Sequence, residues 1–185
     1  MKLKLTMAAM LAALLIALPF EIAFTQWQYN PANFPKMVAW AGCTATVFTS
    51  DQHSPIESAY DSFNHRMYVG THEDTDIPYY AGLMILMHET GHCLQDQEGL
   101  LADYGDYINN PVKFELDADR RAADLMCGLG LDGRQLLRDT FQWAHDAFGY
   151  NGDDGHGTLS ERMSQADNAH ACDKRVERWA RTSSF

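Results

Sequence analysis

The segment 79–96 constrains this chain most, because it is apolar nearly all round and yet carries His88-Glu89-Thr90-Gly91-His92 in its second half. Leu83, Met84, Ile85, Leu86, Met87 and Leu94 leave no continuous polar stripe, so a helix here runs through the middle of a domain rather than along its surface. On a helix, residues four apart are separated by about 40° around the axis. His88 and His92 therefore present both imidazoles to one point, and Glu89 lies beside the coordination position they leave open. Two histidines with a carboxylate next to an open position suit a zinc ion that activates water. The competing reading is a buried helix whose histidines are hydrogen-bonded inside the core.

The elements around this helix change character along the chain. Segments 45–49 and 66–71 are short and rich in β-branched and aromatic residues, which predicts two strands, with an acidic turn at 73–76 closing the second. Pro31 and Pro35 stand among aromatics in 26–37 and predict an extended arm without regular structure, so 24–40 reads as an arm or pro-segment. Asn109-Asn110-Pro111 supplies a cap and a first-turn proline for a second helix reaching about Cys127, before Gly128 and Gly130. A third helix starts at Asp132. Its stripe of Leu137, Thr140, Phe141, Ala144 and Phe148 predicts core packing, with His145 structural beside it. Thr158-Leu-Ser-Glu161 is a capping box that opens a fourth. These elements predict an α+β fold, mostly helical, with a small antiparallel sheet before the motif helix.

A length of 185 residues with 46% hydrophobic content suits one domain, residues 24–185, with a substantial core. The net charge of -11 argues against a nucleic-acid surface. Arg120-Arg121 and the basic tail 174–181 are short and read as solvated helix faces. Lys2 and Lys4 precede the run 5–20, in which only Thr6 is polar. That run is shorter than the roughly 20 residues of a membrane span, so 1–23 reads as a signal peptide and the chain as exported: periplasmic, secreted or anchored facing outward. The alternative is an uncleaved anchor associating with the membrane through residues 5–20, since Glu21-Ile22-Ala23 is a poor cleavage site. Four cysteines, Cys43, Cys93, Cys127 and Cys172, fit an oxidising compartment. A disulfide from Cys93 to Cys127 or Cys172 would brace the motif helix; the alternative is four small buried thiols.

A catalytic zinc takes three protein ligands plus water. A third histidine on the same stretch would need Gly at 95 and His at 98, where this chain has Gln95 and Glu98. The ligand is then expected from another helix. Glu115 and Asp119 share one face of the second helix near the small residues Ala122 and Ala123. Glu115 is the candidate metal ligand and Asp119 the acceptor for the free N–H of a ligating histidine, with Asp119 as ligand in its place the alternative. A solvated acidic face is the reading without a metal.

The pairing of HETGH with Glu115-x-x-x-Asp119 resembles the gluzincin metallopeptidases. Glu-Leu-Asp-Ala-Asp-Arg-Arg-Ala resembles the signature of the HtpX-like and CAAX prenyl protease group, whose later His-Pro and Glu-Arg are matched by His156 and Glu161-Arg162, with Gly157 in place of the proline. The resemblance covers roughly residues 60–162 and lies nearest the single-domain minigluzincins. It implies a zincin-like fold in which the strand before the motif helix, here 66–71, is the edge that pairs with a peptide substrate. It also implies that His156 and Arg162 polarise the substrate carbonyl or hold the catalytic shell.

The expectation is an exported zinc metalloendopeptidase acting on a peptide or protein substrate. One Zn2+ per chain would be held by His88, His92 and Glu115, with Glu89 as general base toward the zinc-activated water. The alternatives are a non-catalytic, zinc-stabilised secreted binding or chaperone-like protein, a precursor silenced by the arm 26–37, and a hydrolase of non-peptide amides. No segment of the sequence identifies a specificity pocket.

Overall fold

The computed structural model describes residues 30–71, 77–102 and 104–170. The expected export segment 1–23, residues 24–29 of the arm, the acidic turn 73–76, the tail 174–181 and Cys172 lie outside them. Chain order runs from a 3-10 turn, Pro31–Asn33, into α1 (Phe34–Trp40), then β1 (Thr46–Ser50), a second 3-10 turn (Pro55–Glu57), β2 (Ala59–Asp61) and β3 (Arg66–Gly70). Helices follow: α2 (Tyr79–Gln97), α3 (Tyr104–Asn109), α4 (Pro111–Gly128) and α5 (Gly133–Phe148). A small hairpin of β4 (Gly152–Asp153) and β5 (Gly157–Thr158) leads into α6 (Leu159–Asn168). The chain is thus mostly helical with a small sheet. None of the described helices is long and apolar enough to cross a membrane.

Residues 31–40 are not an extended arm. Pro31 and Pro35 occupy the first turns of short helices, where a proline's missing N–H costs nothing, and Phe34, Met37 and Val38 are buried in the core. This segment packs under the domain and does not line the cavity over the motif. The sheet is mixed rather than antiparallel. β1 runs parallel to β3 and β2 antiparallel to it, in the order β1-β3-β2. Segment 66–71, expected at an edge, is therefore the middle strand, and β2 is the edge turned toward α2.

Helix α2 is buried along most of its length, with Leu86 and Met87 fully inaccessible beside Phe34, Met67, Met126 and Leu137. Its closest partner is α4. A methyl group added at Gly91 would stand 3.1 Å from both Cα and O of Ala118, so glycine in the motif lets the two helix backbones approach. Gly91→Ala is expected to cost about 1–3 kcal/mol in denaturant unfolding. It should also weaken metal binding, because the helix carrying Glu115 is pushed away.

The termini of the later helices follow their local chemistry. Asp132 caps α5 by accepting from the Gln135 amide, and Gly149 closes it at φ 68. Thr158 and Glu161 form the capping box of α6. A disulfide joins Cys43, in the link between α1 and β1, to Cys93 on α2. The motif helix is thus braced from the N-terminal side, and the expected pairing of Cys93 with Cys127 or Cys172 is corrected. Cys127 is disulfide-bonded as well.

Candidate metal centre

Helix α2 projects His88 and His92 onto one side, and α4 crosses it so that Glu115 meets them. His88 Nε2 lies 3.1 Å from His92 Nε2 and 3.1 Å from Glu115 Oε2, and His92 Nε2 lies 3.3 Å from Glu115 Oε1. Donors at about 2.0–2.1 Å from a tetrahedral ion stand about 3.3 Å apart, so the two Nε2 atoms and the Glu115 carboxylate have the spacing of ligands around one cation. They form the metal-competent group among the described residues.

Each imidazole is oriented from behind. His88 donates Nδ1–H to Asp119 Oδ1 at 2.9 Å, which leaves the Nε2 lone pair for the centre. His92 donates Nδ1–H to the amide oxygen of Gln95 at 2.9 Å. Gln95 is fully buried and anchored in turn, its Nε2 donating to Phe114 O at 2.8 Å and Asp117 Oδ2 at 3.0 Å. Gln95→Leu is expected to weaken metal binding about 10–100-fold, measured by competition with a chelating dye. An unchanged affinity would mean that the helix alone orients His92.

The electrostatics favour a cation. Burial alone would depress the His88 imidazole, but hydrogen bonds to Asp119 and Glu115 and the negative charges of Asp119 and Glu89 raise its pKa to about 10. A proton is thus held where the cluster concentrates negative charge. Burial opposes ionisation of Glu115, yet the two histidines keep it well below the ordinary carboxylate range.

Glu89 sits beside the cluster at the cavity wall. Its Oε2 accepts from the Tyr60 main-chain N–H at 2.8 Å, so the β2 edge aims the carboxylate. The Tyr60 phenol donates to Asp96 Oδ2 at 2.6 Å, fastening β2 to α2 a second time. A cavity of about 400 Å³ opens over His88, Glu89, His92 and Glu115, bordered by β2, Tyr107 and His156.

Asp119 does not meet the other donors directly; it receives His88 and, from the far side, Arg162. Arg162 donates from Nε to Asp119 Oδ2 at 2.8 Å, from Nη2 to Oδ1 at 2.7 Å and from Nη1 to the Tyr150 hydroxyl at 3.1 Å. Its guanidinium is buried 4.4 Å over the Phe141 ring. His156 is half-exposed at the rim, with Nδ1 on Asp153 at 2.8 Å and Nε2 3.9 Å from Glu115 Oε2. His145 bonds Tyr150 O at 3.1 Å and takes no part in the cluster. Sequence reasoning missed Gln95, Tyr60 and Tyr107. Of these only Gln95 left a signal, an amide three residues after His92 in the helix that carries the motif.

No family model matches the chain, and no curated protein or solved structure is found to be similar to it. The assignment of the site rests on its own residues.

Proposed function

We propose that this chain is a zinc-dependent metalloendopeptidase with a gluzincin-like, zincin-like fold, working outside the cytoplasm. The observation that carries the reading is the convergence of His88, His92 and Glu115 on one point at a cavity wall, with Glu89 beside it. Two imidazoles and one carboxylate fit zinc, and their exposure to a cavity suits a catalytic centre better than a structural one, which is closed by four protein ligands. Zinc held there would supply Lewis acidity, bringing the pKa of a water toward about 7 and polarising the substrate carbonyl.

The chain's own groups do the rest. Glu89, held by the Tyr60 N–H, takes one proton from water as its oxygen attacks the peptide carbonyl carbon. It returns that proton to the amine as the C–N bond breaks. His156, at the rim, is the auxiliary donor toward the carbonyl oxygen, while Arg162 acts by holding Asp119 and through it His88. The edge of β2 away from β3 offers its remaining main-chain groups to an extended substrate, the Tyr60 N–H being held by Glu89. The disulfide between Cys43 and Cys93 supports export.

Glu115→Ala tests the centre. It is expected to lower zinc affinity by more than about 100-fold, as removal of a direct ligand must exceed the effect of an outer partner. Stoichiometric zinc in the dialysed variant would refute the assignment of Glu115.

A further inference from the structure

Tyr60 touches helix α2 at two carboxylates. Its main-chain N–H donates to Glu89 Oε2 at 2.8 Å, and its phenol donates to Asp96 Oδ2 at 2.6 Å. Glu89 and Asp96 are seven residues apart, which puts them on one face of the helix at a rise of about 10 Å. One extended tyrosine spans that interval, so the seam between β2 and α2 is pinned at both ends.

A third group closes on the same joint. His65, in the turn between β2 and β3, holds φ 50, in the left-handed region that residues other than glycine seldom adopt. There its Nδ1 lies 3.0 Å from Asp96 Oδ2 and 3.2 Å from the Tyr60 hydroxyl. Burial, then the hydrogen bond to Asp96 and its negative charge, raise the Tyr60 phenol above its ordinary pKa, so it stays a donor. With its proton on Nδ1, His65 is the second donor to Asp96.

The fold has other supports. β2 is paired with β3 from Ala59 to Asp61, and α2 is held by α4 and by the disulfide from Cys93 to Cys43. What Asp96 adds is the placement of β2 along α2, and with it the point at which the Tyr60 N–H meets Glu89. A carboxylate held through one oxygen has a set direction for the other. Misplacing a reacting group by about 1 Å can cost about 10²-fold in rate.

We propose that Asp96 is a positioning residue for the general base: through the Tyr60 phenol it sets β2 along α2 and thereby holds the Glu89 carboxylate beside the metal centre. This rests on the peptidase reading. In the zinc-loaded full chain, Asp96→Ala and Tyr60→Phe are each expected to lower kcat and kcat/KM together by about tenfold or more, at unchanged zinc affinity. Asp96→Asn keeps an oxygen for the phenol and should stay within about threefold of wild type. The double variant Tyr60→Phe with Asp96→Ala should lose no more than either single one, because both remove the same bond. A rise in KM at constant kcat, multiplied losses in the double variant, or an Asp96→Ala rate within about threefold of wild type overturns the assignment and leaves the peptidase standing.

Amide exchange gives a readout independent of turnover. Asp96→Ala should speed deuterium exchange at the Tyr60 N–H at least about tenfold and leave the β3 amides at their wild-type rates. If the wild type cuts no peptide, the peptidase reading fails, and faster exchange confined to β2 still supports Asp96 as the group that holds Glu89. An unchanged Tyr60 N–H, or exchange accelerated across the whole sheet, overturns that role.

Discussion

Glu89→Gln is expected to reduce peptide hydrolysis by about 10²–10⁴-fold or more while the protein keeps one zinc per chain. Glutamine preserves the shape of the side chain, and its amide oxygen still accepts the Tyr60 N–H that holds Glu89 Oε2 at 2.8 Å. It has no basic site for the proton of water. His88, His92 and Glu115 are untouched, so metal content separates loss of the base from loss of the centre. The check is a comparison of initial rates at equal zinc loading. Activity within about tenfold of wild type would remove Glu89 from the role of general base.

Asp119→Ala is expected to act on stability and metal binding together. Asp119 is 1% exposed and joins His88 Nδ1 to Arg162, which is itself 8% exposed. Removing it leaves a buried guanidinium without its carboxylate, which typically costs about 3–5 kcal/mol. It also releases His88, and such losses weaken metal affinity about 10–100-fold. Adding Arg162→Met should recover much of the stability and none of the affinity, since the stranded charge is gone but His88 remains unsupported. Denaturant unfolding of the metal-free proteins and zinc competition read the two effects apart.

The same residue sets a pH dependence. Burial pushes the Asp119 carboxyl upward, but Arg162 and His88 hold it below its usual value. A group depressed on folding contributes stability that is full above its unfolded pKa, about 3.9 for Asp, and lost as pH falls through the folded value. Wild type should therefore lose stability below about pH 4 more steeply than Asp119→Asn.

Much of this site could be read from local pattern. The motif helix and the starts of α4, α5 and α6 match their expected places within a residue or two, because apolar run length, Pro111, Asp132 and the Thr158–Glu161 box act over a single turn. The demand for a third donor and the helix face shared with Asp119 point to Glu115, and the structure brings its carboxylate within 3.1 Å of His88 Nε2.

What escaped depends on distant contacts or on the main chain. The pairing of Cys43 with Cys93 spans 50 residues, and nothing local to Cys93 distinguishes that partner from the others. β2 is three residues, Ala59–Asp61, too short for an alternating pattern, so its edge position and the Tyr60 N–H toward Glu89 had no signature. Pro31 and Pro35 read as breakers in the sequence, although proline in a first turn starts a helix as readily as it ends one. Gln95 stands in the sequence only where a third-histidine motif would have glycine, because its value comes from the Phe114 carbonyl and Asp117 that α4 brings to it.

The central claim, that one zinc sits between His88, His92 and Glu115 with a position left for water, is tested most directly by X-ray absorption at the zinc edge on the loaded full chain. The predicted result is one zinc per chain, four light ligands at about 2.0–2.1 Å, two of them imidazoles, and one ligand replaced when a hydroxamate is added. A sulfur shell at about 2.3 Å, or four protein ligands that no added anion displaces, would contradict it.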